Sequence, residues 1–256
     1  MVLTIDIGNT NIVLGGFIDD ELNFIARMST DTRKTEFEYA VKIREIMVLK
    51  GIDKKSVSGA IISSVVPQLT HGLKKAVDIV YGIKALVVGP GIKTGINLLV
   101  DNPAEVGADL ICACVAGYNL YKPPVLITDM GTATKMMVVD ENAAFRGVSI
   151  IPGVEISLKA LAGSAAQLPH IGLDAPQKVI AKNTGECMRS GIIYGNASLI
   201  DGMVDRILNE IGTDATLVAT GGLSGMIVPH CNHKIIMDEN LILKGLYIMY
   251  KKNTRN

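Results

Sequence analysis

Three short segments of this 256-residue chain pair a strand-like apolar run with a turn suited to phosphate. In Ile5-Asp6-Ile7-Gly8-Asn9-Thr10, a carboxylate, a glycine and two short polar side chains follow an apolar run. Such a turn lets backbone N–H groups approach phosphate oxygens, and a carboxylate like Asp6 can hold magnesium through water. Thr128-Asp129-Met130-Gly131-Thr132-Ala133-Thr134 repeats these elements, so two facing loops could bracket a triphosphate and its metal. Ala219-Thr220-Gly221-Gly222 adds a turn whose bare backbone would let a nucleotide lie against it. Singly, a DxG segment is also an Asx-turn and Gly-Gly is also a tight turn. Their order and spacing along one chain favour the nucleotide.

These turns require strands before them and helices between them. Val2 to Ile7, Ile12 to Ile18 and Leu22 to Met28 read as strands, and Glu36 to Lys50 carries apolar residues at helical spacing. Val57 to Val65 reads as a strand, Pro67 to Tyr81 as a helix and Leu86 to Val88 as a short strand. Asn102, Pro103 and Glu105 match a cap, a first helical position and a capping-box partner, which predicts one helix from there to about Tyr121. Glu105 and Asp109 would then share a face, one turn apart. Pro123-Pro124 ends that helix, and Val125 to Ile127 begins a buried strand that repeats the logic of the N-terminus. A second long helix is expected from Asn183, with Glu186 in the capping-box position, to about Ile211. Gly191 and Gly195 would lie on one face of it, a pair suited to close helix packing. Leu217 to Thr220 reads as the last strand and Leu241 to Tyr250 as the last helix. The expected division is an N-terminal lobe over 1–117 and a C-terminal lobe over 118–256, joined by ordinary loops near 115–120.

Composition narrows the partners. The 25 Lys and Arg residues balance 25 Asp and Glu, so no overall field favours nucleic acid or an anionic membrane. Mean hydropathy is +0.35, yet no run reaches the roughly 18 apolar residues of a membrane span, and no export leader is recognisable. A cytoplasmic protein acting on a small molecule, or pairing with its own copy, is the expectation. Cys112, Cys114, Cys187 and Cys231 lack CxxC spacing and are expected to be reduced, packed thiols. His230-Cys231-Asn232-His233 has neither a second ligand group nor an i,i+4 pair, so zinc is not expected there.

Two DxG-type hairpin loops followed by a TGG turn resemble the superfamily of acetate kinases, sugar kinases and actin. Within it the chain resembles type III pantothenate kinase over nearly its full length. The matching blocks are Asp6 to Thr10, Ser64-Val65-Val66-Pro67, Lys93-Thr94-Gly95, Asp101-Asn102-Pro103, Glu105 to Asp109, Asp129 to Thr134, Lys182-Asn183-Thr184 and Ala219 to Gly222. The resemblance implies an α/β, two-lobed actin-like ATPase fold of ribonuclease H type, with duplicated mixed sheets flanked by helices. It also implies transfer of the ATP γ-phosphoryl group to pantothenate, the first step towards coenzyme A, and a homodimer.

Residue roles come with the resemblance. Asp109 would be the base that accepts the hydroxyl proton, and Gly107, Ala108, Asp109 and Leu110 would form the substrate block together with Val100 and Thr184. Asp6, Ile7, Gly8, Asn9, Thr10, Asn11, Ile12 and Val13 would hold the ATP phosphates, with a further contact from Thr132. Mg2+ would accompany ATP, and Asp129 would bind a monovalent cation, K+ or NH4+. Three positions depart from the family pattern. Leu110 stands where an arginine would pair with the pantothenate carboxylate, Val100 where a tyrosine is usual, and Lys135 where a threonine is usual. A charge-assisted contact of that kind is worth about 1.5–3 kcal/mol, and leucine offers no donor. Leu110 is in helical register with Val106, Ala113 and Gly117, so it can equally belong to a packed face. Lys135 could stabilise transferring charge or fill the cation site. A less polar acceptor, or a nucleotide-binding regulator, therefore stands as the alternative.

Overall fold

The computed structural model describes residues 1–164, 168–169 and 171–254. Strands β1 (Val2–Ile7), β2 (Asn11–Ile18) and β3 (Glu21–Ser29) form an antiparallel meander. Helix α1 (Glu36–Leu49) starts on a capping box between Thr35 and Glu38, and β4 (Gly59–Ser64) then pairs parallel to β1. Helix α2 (Pro67–Tyr81) has proline in its first turn and stops at Gly82, which is left-handed at φ 70°. Next come β5 (Leu86–Val87), β6 (Asn97–Leu98) and α3 (Ala108–Leu120). The second half repeats the meander with β7 (Val125–Met130), β8 (Ala133–Val139) and β9 (Ala144–Pro152). It continues through α4 (Val154–Ser164), α5 (Thr184–Ile211), β10 (Thr216–Thr220), α6 (Ser224–Ile227), β11 (Ile236–Met237) and α7 (Leu241–Thr254).

The strand orders show the duplication. One sheet runs β3-β2-β1-β4-β5 and the other β11-β10-β7-β8-β9-β6, so β7, β8, β9, β10 and β11 take the places of β1 to β5, and β6 is added at an edge. Contacts divide the chain into two compact units. The first comprises Met1–Ile96, Asp101–Ala116 and the residues from Leu241 onward; the second comprises Asn97–Val100 and Gly117–Asn240. The linear division leaves residues from Leu241 with the second half, whereas α7 packs on β1, β2 and β4 of the first unit. The boundary near 116–117 lies inside α3 and not in a loop.

Each sheet has two differently occupied faces, because side chains alternate along a strand. In the first unit Leu3, Ile5 and Ile7 of β1 join Tyr39, Ile43 and Met47 of α1 and Leu69, Leu73 and Val77 of α2 in one core. Thr4 and Asp6 therefore project from the opposite face. There a Cβ on Gly15 would meet Thr4 Oγ1 and Leu243 of α7, each at 2.9 Å. In the second unit Leu126 and Met130 of β7 pack with Leu158 of α4 and Ile192, Ile193 and Ile200 of α5, so Asp129 takes the face opposite that core.

The predicted helix from Asn102 is two elements. Asn102 does cap, accepting from Ala104 N–H at 3.2 Å and donating to Glu105 Oε1 at 2.7 Å, but the turn it caps is a 3-10 turn over Pro103–Glu105. Val106 is extended, and α3 begins only at Ala108, so Glu105 and Asp109 do not share a helix face. Asn183 caps α5 as expected, accepting from Glu186 N–H at 3.0 Å. Gly191 and Gly195 are not close-packing sites within the chain: a Cβ at either would meet nothing within 4 Å among the described residues. Cys112 and Cys114 are buried, but Cys187 is exposed, contrary to a packed thiol, because the first turns of α5 present that side outward. No described helix is long and apolar enough to cross a membrane.

Candidate functional site

In the first unit the Asp6 loop is a tight hairpin end. Gly8 N–H donates to Asn11 C=O at 3.0 Å, and a Cβ on Gly8 would stand 3.1 Å from that oxygen. Thr30, next to the end of β3, holds the loop from behind: its Oγ1 donates to Gly8 C=O at 2.6 Å and its N–H to Thr10 C=O at 3.0 Å. With these carbonyls engaged, Asn9 and Thr10 remain exposed at the tip, as a phosphate-contacting loop requires. Ile12 is buried in the core, so among residues 6–13 it supports the loop through packing.

Asp109 lies in the first turn of α3, and its Oδ1 accepts the Leu110 N–H at 2.9 Å. Gly107 makes this possible: a Cβ there would come within 2.5 Å of Asp109 Oδ1 and 3.7 Å of Val65. One turn further along α3, Cys112 reports on both carboxylates. Burial and then the Asp6 charge push its thiol well above the usual range; Ser63 opposes this, and Asp109 adds to it. The charges of Asp6 on β1 and Asp109 on α3 therefore both act on this one buried thiol. The Ser63 hydroxyl, buried at the same place, has no nitrogen or oxygen partner among the described residues. Leu110 is only 7% exposed and Ala113 is 1%, so Leu110 sits within a packed face.

The second unit has its own constellation. The β7–β8 turn is one residue shorter, with Gly131 N–H donating to Ala133 C=O at 3.2 Å and Thr132 exposed at its tip. Gly221 of the TGG turn has φ 92°, and a Cβ there would lie 2.5 Å from Met130 C=O and 2.7 Å from Asp129 Oδ1. Ser224 Oγ donates to Gly221 C=O at 2.8 Å. Gly153, just before α4, lies against the carbonyls of Gly131 and Thr132, where no side chain would fit. Asp129 is 5% exposed, and Lys135 Nζ stands 2.7 Å from its Oδ2. Val100 is half-buried; Thr184 is exposed in the first turn of α5, where Asn183 makes the cap.

Three supporting residues escaped the sequence reading: Thr30, Ser63 and Gly153. Only Gly153 carried a local signal, as a Pro-Gly step at a strand end. A side chain at Gly8 or Gly221 would crowd the neighbouring backbone, whereas one at Gly131 would meet only ordinary contacts. Among the described residues no three His, Cys, Asp or Glu side chains gather as a metal site.

A model of the type III pantothenate kinase family matches residues 2–206. Among solved structures, a conserved Campylobacter jejuni protein assigned to the Baf family of transcriptional activators is 20% identical, with TM-score 0.59 and 98% of each chain covered. A Sinorhizobium meliloti protein described as a 2-dehydro-3-deoxygalactonokinase is 9% identical with TM-score 0.57, covering 100% of this chain and 98% of its own. A Porphyromonas gingivalis protein described as an N-acetylglucosamine kinase is 14% identical with TM-score 0.52, covering 100% of both chains. At such identities the likeness is one of fold: α/β, with the two mixed sheets and flanking helices of actin-like ATPases and sugar kinases.

Proposed function

The chain belongs to the type III pantothenate kinase family, and on that premise we propose that it transfers the γ-phosphoryl group of ATP to the primary hydroxyl of pantothenate. The observation that carries this reading is Asp109, half-buried at the start of α3 over a glycine that leaves room for its carboxylate, its charge acting with that of Asp6 on the buried Cys112 thiol. ATP supplies the phosphoryl group, and Mg2+ shields the charge on its oxygens. Asp109 accepts the proton of the attacking hydroxyl. Within residues 6–13 the N–H groups of the loop hold phosphate oxygens while Ile12 packs behind them, Thr132 adds a hydroxyl contact, and Thr184 contacts the acceptor with Gly107, Ala108 and Val100, whereas Leu110 packs in the face of α3. The protein acts as a cytoplasmic homodimer. The family resemblance adds K+ or NH4+ at Asp129; in this chain that carboxylate already faces the Lys135 ammonium.

A second reading is favoured by one observation. Leu110 and Val100 are aliphatic where the family resemblance leads one to expect an arginine and a tyrosine, so the acceptor is an uncharged relative of pantothenate. One assay separates these readings. ATP consumption is measured with pantothenate, with a neutral pantothenamide and with no acceptor, for the natural chain and for Asp109→Asn. Pantothenate-dependent turnover is expected, falling about a hundred- to ten-thousand-fold in Asp109→Asn while ATP still raises the melting temperature. Turnover with the amide alone would transfer the assignment to the second reading. Equal turnover in the variant would remove Asp109 from the chemistry.

A further inference from the structure

The duplicated hairpins differ at one matched position. In β1–β2 the residue opposite Asp6 is Val13; in β7–β8 the residue opposite Asp129 is Lys135. Directly opposite residues share a sheet face with their Cβ atoms about 4.5–5.5 Å apart, so the register itself brings the ammonium to the carboxylate. The resulting pair is close and largely out of water: Nζ to Oδ2 is 2.7 Å, with 16% and 7% of the two side chains exposed. The other carboxylate oxygen lies against backbone. A Cβ on Gly221 would be 2.7 Å from Oδ1, and one on Gly131 would be 3.8 Å from it.

A carboxylate enclosed in this way needs a compensating positive charge. A small cation taken from solution would meet that need, but here it would have to share the site with a tethered ammonium of the same sign. The donor set therefore does not fit a resident potassium or ammonium ion. We propose that Lys135 supplies, from within the chain, the positive charge that the family resemblance assigns to a bound monovalent cation, so that the protein needs no such cation. The pairing stands on geometry alone, and only its consequence for ATP rests on the kinase reading.

The test compares potassium chloride with choline chloride at equal ionic strength, reading ATP affinity by calorimetry and the melting temperature of the nucleotide-free protein. The natural chain is expected to bind ATP within about twofold in the two salts and to melt at the same temperature. Lys135→Met, which removes the ammonium and keeps the length, is expected to lose ATP affinity at least about tenfold in choline chloride and to recover it with potassium. Its melting temperature should rise in potassium chloride relative to choline chloride. Lys135→Thr is the second variant should the first fail to fold. A natural chain whose affinity or melting temperature rises markedly with potassium overturns the proposal. So does a Lys135 variant indifferent to potassium in both readouts. Absence of ATP binding in either salt would remove the kinase reading, while the melting comparison would still decide the role of Lys135.

Discussion

A carboxylate in the first turn of a helix lies beside N–H groups that have no acceptor within the helix. Asp109 occupies such a place, and Gly107 keeps its Oδ1 from being displaced. Gly107→Ala would put a methyl group within 2.5 Å of that oxygen, so turnover is expected to fall. A misplacement on the ångström scale costs on the order of a hundredfold, while the circular dichroism spectrum should stay unchanged. Full activity in Gly107→Ala would mean that the carboxylate is not positioned by this contact. The Gly-Ala-Asp block was legible in the sequence because its three members are neighbours. Thr30 was not, since the carbonyls it holds lie some twenty residues back along the chain and nothing local marks a threonine after a strand as a brace.

Elements whose ends are set by their own residues were legible to within a residue or two. Pro67 opens α2, Asn183 with Glu186 opens α5, and left-handed Gly82 and Gly212 close them. The same chemistry misled at Asn102, because a cap fits the first turn of a 3-10 helix as well as that of an α-helix, and only Val106 and Gly107 decide whether the turn continues. The TGG turn after β10 makes a sharper demand. Gly221 is left-handed at φ 92° and its Cα approaches Met130 C=O, so alanine there would be both strained and overpacked. Gly221→Ala is expected to cost about 2–4 kcal/mol, read as a lower urea midpoint with unchanged slope. A midpoint equal to that of the natural chain would show that the turn can relax without loss.

For the molecule as a whole, the repeated meander places Asp6 and Asp129 at matched positions of two sheets, each on the face opposite its principal helical core. The repeat was visible as a recurrence of strand, acid, glycine and hydroxyl residue; the crossing of α7 back to the first sheet was not, because its apolar pattern would suit either sheet. The homodimer remains a proposal, and Gly191 and Gly195 of α5 are exposed, with room for a Cβ at either. Sedimentation equilibrium is expected to give twice the 27.3 kDa chain mass at micromolar concentration. A clear monomer would refute the dimer.

Sequence alone determined the glycine turns and most helix starts, because caps, turns and glycine requirements are settled within four or five residues of chain, and it pointed to the family through a resemblance spread over many blocks. Tertiary structure decided which charged groups from distant segments come near one another. The charges of Asp6 and Asp109, on separate elements, both act on the buried Cys112 thiol, and Lys135 reaches Asp129 because the shorter β7–β8 turn sets that register. Such pairings depend on which backbone hydrogen bonds close between distant segments, and a one-residue change of register would turn either side chain to the other face of its sheet.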